Sequence, residues 1–324
     1  MRRISTDATI SIALCTFNGE RFVREQLESI QRQTRRPHEL IVCDDGSDDR
    51  TIEIIRSFAA NSSFLVHIYV NETRRGSTKN FEHCISKCSG ELIALSDQDD
   101  VWQENKLQSL AAEFEKKPGI GYVFSDAELI DEAGTSLGRT LWDGNYFKPL
   151  LADGFPHHLQ ISALLKCNVV TGTCMMFAAD LKKLVLPISA HWIQDYWIAT
   201  IASSLGWSGV SVNASLVKYR LHHNQQVGAN NSLSARIRRS RKVSRPAFEN
   251  RVAAYQDLID HLRSLAPPPV LAMLEQKRSH LRNRADLRER SAFRKLTGIF
   301  HELRSGRYAR FSNSWQSLIQ DLCF

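Results

Sequence analysis

The sequence predicts an α/β protein built on an open, doubly wound sheet and carrying an α-helical C-terminal extension. Three observations carry that prediction. Over the first 125 residues, short apolar runs alternate with segments of helical periodicity, the pattern of parallel strands joined by right-handed crossovers. Two of those runs end in acidic clusters, around Asp44 and around Asp97, where open α/β sheets hold their ligands. The charge is also divided: residues 231–324 hold 19 Lys and Arg against 8 Asp and Glu, and residues 1–230 hold 23 against 27. A mildly acidic domain over residues 1–230 and a basic extension over 231–324 follow.

Taken in order, residues 10–15 (ISIALC) read as a first strand and Thr16-Phe17-Asn18-Gly19 as a turn. Residues 20–33 carry Phe22, Val23, Leu27 and Ile30 at helical spacing. A second strand over 39–43 runs into Asp44-Asp45-Gly46-Ser47-Asp48-Asp49, rich in turn and cap formers. A helix with Ile52, Ile54, Ile55 and Phe58 follows, then a strand over 65–70 and a helix over 77–87. A fourth strand over 92–95 ends at Ser96-Asp97-Gln98-Asp99-Asp100, and a helix from about 103 to 116 leads to a strand over 121–124. Residues 126–170 read as irregular. A β-like run over 173–177, a helix over 194–204 and a strand over 209–219 close the first domain. Beyond residue 230 the expectation is helices over 247–265 and 270–290, broken at Pro267-Pro268-Pro269, and an amphipathic tail through Trp315.

Composition excludes several classes. At 43% hydrophobic and 24% charged residues the chain is neither disordered nor fibrous. The longest apolar run, over 169–179, is too short to span a bilayer, and the polar stretch after Met1-Arg2-Arg3 has no signal-peptide core. Seven scattered cysteines without a C-x-x-C pair read as reduced thiols, hence a cytoplasmic protein. P-loop, dinucleotide-binding, zincin and G-x-S-x-G patterns are all missing from the sequence.

Two carboxylates two positions apart at a strand end reach the same side if the chain stays extended, so Asp97 and Asp99 suit one hard dication or one sugar. The competing explanation is a helix cap by Asp99 or Asp100. Three Asp in four positions exceed what a cap requires. Asp44 and Asp45 are explained equally well by an Asx-turn, and gain weight from their place on a neighbouring strand. Asp195, beside Tyr196 and Trp197 at a helix start, is a cap or a desolvated general base.

Thr16-Phe17-Asn18-Gly19, Asp44-Asp45-Gly46-Ser47-Asp48-Asp49, Gly76 with Asn80-Phe81, and Ser96-Asp97-Gln98-Asp99-Asp100-Val101-Trp102 follow one another at spacings that resemble glycosyltransferase family 2. Gln194-Asp195-Tyr196-Trp197 and Tyr219-Arg220-Leu221-His222-His223-Asn224 resemble the rest of its pattern, and the S-D-Q-D-D-x-W form resembles a rhamnosyltransferase-like subgroup acting on cell-surface polysaccharide. The match spans residues 8–230. It implies a GT-A fold with a mixed sheet and inverting transfer from a nucleotide-diphosphate sugar. It places Thr16 and Asn18 beside the nucleotide, Asp44 or Asp45 at the base, Arg75 or Lys79 near the diphosphate, and Asp97 at ribose or sugar. Asp99 becomes a metal ligand for Mg²⁺ or Mn²⁺, His222 a late contact to the metal or a phosphate, and Asp195 the catalytic base. Gln194 stands where relatives often carry Glu or His, and Leu221 where the subgroup often carries Gln. Both departures bear on acceptor preference.

The subgroup implies dTDP-rhamnose as donor and a glycan or lipid-linked acceptor. The basic stretch Arg236, Arg238, Arg239, Arg241, Lys242 and Arg245 lacks interleaved aromatics, which disfavours nucleic acid and favours an anionic membrane surface at the inner face of the plasma membrane. The rival classes are a non-catalytic nucleotide-sugar or polysaccharide binding protein and a sugar nucleotidyltransferase. The latter would carry a Gly-rich basic loop after the first strand, unlike residues 15–19.

Overall fold

The computed structural model describes residues 4–143, 145, 147–222, 244–289 and 291–323. His223 and the basic residues 236–242 lie outside the described residues. The chain divides into two compact units, residues 1–157 with 170–229, and residues 158–169 with 230–324.

Among the described residues the first unit is wound on one mixed sheet of nine strands. Strands β1 (Ile10–Thr16), β2 (Glu39–Asp44), β3 (Leu65–Val70) and β4 (Leu92–Asp97) are parallel, in spatial order β3-β2-β1-β4. Helices α1 (Val23–Gln31), α2 (Thr51–Asn61) and α3 (Ser77–Lys87) make the crossovers. Alternation sorts β1 between two layers. Ile10, Ile12 and Leu14 share a core with Val23, Leu27 and Ile30 of α1. On the opposite face the thiol of Cys84, from α3, donates to the carbonyls of Leu14 and Ile41. Burial pushes the Cys15 thiol up to about 11, so it is an inert core group.

Past β4 the chain forms β5 (Val101–Trp102), α4 (Lys106–Lys116), β6 (Ile120–Ile130) and β7 (Ser136–Thr140). Helices α5 (Lys148–Ala152) and α6 (His157–Leu164) precede β8 (Met175–Ala178), α7 (Lys182–Val185), α8 (Gln194–Ser204) and β9 (Ser208–Arg220). The sheet continues β4-β8-β6-β9-β5, with β8 antiparallel to both neighbours and β6 parallel to β9.

Four expectations need correction. The stretch from 126 is not irregular at its start: β6 runs on to Ile130 and turns back into β7. The helix expected from about residue 103 begins at Lys106, and before it Val101 and Trp102 form a short strand paired with Lys218 and Val217. The chain does not stay extended through Asp99, because β4 ends at Asp97 and residues 98–99 turn. In the second unit the chain does break between helices Arg245–Leu262 and Pro268–Asp286, but the second begins earlier than residue 270: Pro267 is its N-cap, and Pro268 and Pro269 are its first residues. There the missing proline N–H costs nothing.

That second unit also holds helices Arg245–Leu262, Ala292–Arg304, Arg307–Phe311 and Ser314–Cys323, of which Ala292–Arg304 carried no sequence expectation. A buried polar network ties them. His280 bridges Glu302 (2.5 Å) and Ser312 (2.8 Å), and Arg284 pairs with Asp321 (2.6 Å), which also accepts from the Tyr308 hydroxyl. Lys277 donates to the Phe311 carbonyl, and burial depresses its ammonium to about 7. Between pH 7 and 10 the unfolded chain holds this proton and the folded chain does not, so stability rises with pH by up to about 1.4 kcal/mol per unit. Lys277→Met is expected to flatten that rise, read from denaturant midpoints at pH 7 and 9.5.

Candidate active site

The carboxyl ends of β1, β2 and β4 meet in register. Thr16 lies opposite Asp44, and Cys15 opposite Asp97. Asp44, fully buried, accepts from the Thr16 hydroxyl (2.7 Å), from the Ser47 hydroxyl (2.6 Å) and from the N–H groups of Gly46 and Ser47. This is the Asx-turn geometry, and it shapes the 44–49 loop. Asn18 joins the same loop: its N–H donates to the Ser47 hydroxyl, and its side-chain oxygen accepts from the Asp48 N–H.

Asp45 faces the other way. One of its oxygens accepts from Asn71 Nδ2 (2.9 Å) and the Arg75 N–H (2.7 Å), and the other from the Gly76 N–H (2.8 Å). The carboxylate therefore clamps the 71–76 loop, and the Arg75 side chain is left exposed. Lys79 is committed elsewhere, donating to Glu82 and to the Ile188 carbonyl. Asp45→Ala removes an acceptor from three donors and is expected to cost about 3 kcal/mol. Chemical denaturation of the variant against the wild type would check this.

The acidic cluster is built by two returns of the chain. Pairing β5 against β9, continued backward from Val101 and Lys218, brings Asp99 beside Arg220. Arg220, buried at the end of β9, donates through its N–H to Asp100 (3.0 Å), through Nε to the Asp99 carbonyl (2.9 Å), and through Nη2 to Glu25. Two residues on, His222 Nε2 lies 2.7 Å from Asp99 Oδ2, and its ring packs 5.1 Å from that of Phe22. Neither Asp99 nor Asp100 caps α4, whose N-cap is Asn105.

Asp97, half-buried at the tip of β4, is pushed up to about 7, first by desolvation and then by the charges of Asp99 and Asp195. Asp195, nearly buried in the first turn of α8, is not its cap, which is Ile193. One Asp195 oxygen accepts from the Tyr196 N–H, and the other lies where a Cβ on Gly172 would come within 3.3 Å. Trp192 and Tyr196 stack edge-on beside it, with centroids 4.8 Å apart. Three carboxylates from three elements thus share one electrostatic site.

The donor set Asp99 and His222 suits a hard dication that keeps open coordination positions. Among the described residues no group of three or more His, Cys, Asp or Glu forms a closed metal cage. Asp100 keeps one carboxylate oxygen buried without a hydrogen-bond partner, and burial holds its carboxyl well above the usual range.

Three residues here have roles that sequence reasoning missed. Gln98 clamps the Phe17 peptide at both N–H (2.8 Å) and carbonyl (3.0 Å). A Cβ at Gly19 would strike the Gln98 amide oxygen at 2.2 Å, which is why the turn after β1 needs glycine. Arg220 was visible only as a cation in a motif. Lys106 is fully buried against Trp102, donates to the Thr173 carbonyl and is depressed far below its usual range by burial. A lysine at a helix start gives no sign of this.

A family model described as Glycosyl transferase family 2 matches residues 11–183. The chain is 33% identical over 132 residues to the putative glycosyltransferase EpsE of Bacillus subtilis, covering 41% of this chain and 48% of that protein. It is 27% identical over 238 residues to the dTDP-rhamnosyl transferase RfbG of Shigella flexneri, covering 70% and 77%. The first curated relatives are matched over about half to two thirds of their length. In fold it is similar to the mannosyltransferase PcManGT of Pyrobaculum calidifontis, solved with GDP-Man and Mn²⁺, with a TM-score of 0.56 at 18% identity, covering 97% and 86%. The mixed sheet is that of a GT-A fold.

Proposed function

This chain belongs to glycosyl transferase family 2, and from that premise we propose that it is an inverting glycosyltransferase using a nucleotide-diphosphate sugar. The observation that carries this reading is the 2.7 Å pairing of Asp99 with His222 next to Asp97 at the tip of β4, where the charges of Asp99 and of Asp195 from α8 are both felt. Thr16, Asn18, Asp44, Asp45 and the 71–76 loop form the nucleotide side. Arg75, exposed on that loop, is the candidate for diphosphate contact; Lys79 would have to release Glu82 to take part. Asp97 addresses ribose or the donor sugar.

Asp99 and His222 would hold Mg²⁺ or Mn²⁺, whose positive charge would stabilise the departing diphosphate. Asp195 removes the proton from the acceptor hydroxyl as that oxygen attacks the anomeric carbon from the face opposite the leaving group. Trp192 and Tyr196, packed beside it, offer an aromatic wall for an acceptor sugar. Inversion needs no second carboxylate. dTDP-rhamnose is the donor we propose, supported by the name of the Shigella relative, and a glycan or lipid-linked glycan is the acceptor. No described helix is long and apolar enough to cross a membrane. Peripheral attachment at the inner leaflet is part of the proposal, supported in sequence by the basic residues 236–245.

The deciding experiment incubates the protein with Mn²⁺, a panel of nucleotide sugars and glycan acceptors, and identifies the nucleotide formed. A nucleoside diphosphate is expected. Pyrophosphate would mean nucleotidyl transfer, and tight binding with neither product would mean a binding protein; either overturns the proposal.

A further inference from the structure

The second unit exposes large apolar side chains that its own packing does not use. On helix Ala292–Arg304, Phe293 is 78% exposed and Phe300 64%, with Leu296 and Leu303 also exposed. At 100° per residue these four fall on one flank of the helix. Ile299 and Glu302 fill the inward side, both nearly fully buried. The remaining flank carries Arg294, Thr297, His301 and Arg304, all exposed. Helix Ser314–Cys323 repeats the pattern: Trp315 is 65% exposed, and Ile319 and Leu322 follow at one-turn spacing, while Asp321 is buried. Ile299 and Leu318 pack in one cluster, so the two helices adjoin.

A helix with an apolar flank beside a cationic one is built to lie in a lipid interface, rings in the acyl boundary and guanidinium groups at phosphate level. Charge selects the partner. With 19 basic against 8 acidic residues over 231–324, and exposed Arg310 just beyond the helix, the surface complements an anionic bilayer and not a cationic or neutral protein face. We propose that helices Ala292–Arg304 and Ser314–Cys323 insert Phe293, Leu296, Phe300 and Trp315 into an anionic lipid surface. This differs from attraction by residues 236–245 alone, because it requires buried apolar area.

The test is flotation of the full-length protein with vesicles of phosphatidylcholine, with and without phosphatidylglycerol. Wild type is expected to float with the anionic vesicles. Phe293→Ser/Phe300→Ser is expected to lower partitioning at least tenfold, and Arg294→Gln/Arg304→Gln several-fold, each variant keeping the wild-type melting curve since the side chains are exposed. Equal binding to neutral vesicles, or undiminished binding by the Phe variant, overturns the proposal. So does a wild-type dimer in sedimentation that the Phe variant abolishes while neither protein floats, which would make the face a contact between copies. Vesicle binding requires no turnover, so failure here leaves the catalytic reading standing, and the reverse holds.

Discussion

Asp195→Asn is expected to reduce sugar transfer by about a thousandfold while nucleotide affinity stays within a few-fold of wild type. The magnitude is that of a lost general base. Asparagine preserves shape and can still accept from the Tyr196 N–H, as the Asp195 oxygen does at 2.5 Å. The change therefore removes proton affinity and leaves α8 in place. A base acting on the acceptor hydroxyl affects kcat and not donor binding, so titration with the nucleoside diphosphate separates the roles. Weakened nucleotide binding in proportion to lost activity would assign Asp195 to the donor and remove it as base. Gly172→Ala gives a graded companion: the added methyl would press on the Asp195 carboxylate at 3.3 Å, displacing it without changing its chemistry. An intermediate loss, about tenfold, is expected from misplacement of the base.

The second large effect concerns Asp99 and His222. Asp99→Ala and His222→Ala are each expected to lower transfer by at least a hundredfold and to move the Mn²⁺ dependence to higher concentration. The two side chains touch at 2.7 Å, so either variant removes half of the same donor pair, and the double variant should cost little more than the worse single one. Additive losses would place them in separate functions. Full wild-type activity in excess chelator would end the metal-assisted reading. Asp99 also lends its carbonyl to Arg220, but Asp99→Ala retains that backbone contact, so a collapse of stability is not expected.

The four parallel strands β1 to β4 were legible because each is a short apolar run bounded by turn formers and separated by a helical period, whereas their spatial order β3-β2-β1-β4 came only with the structure. Asp44 and Asp97 were therefore correctly expected at strand tips, and helices α3 and α8 were readable to the residue. Asp99 was grouped with Asp97 on the assumption of extended chain. It meets the site by another route, through the turn after β4 and the pairing of β5 with β9. A two-residue strand has no sequence signature, since it contains less than one full alternation.

What the sequence determined by itself was the ordered series of apolar periods, the acidic strand ends and the charge division, because these depend on local spacing and composition. What only the tertiary structure decided was pairing across distance: His222 onto Asp99 over 123 positions, Arg220 onto Glu25 over 195, Gln98 onto the Phe17 peptide over 81. The same holds for the exposed flank of Ala292–Arg304, whose phenylalanines look in sequence like any core residues. Burial and partnership are properties of the packed chain, and a side chain's own identity leaves them open until its neighbours from elsewhere in the sequence arrive.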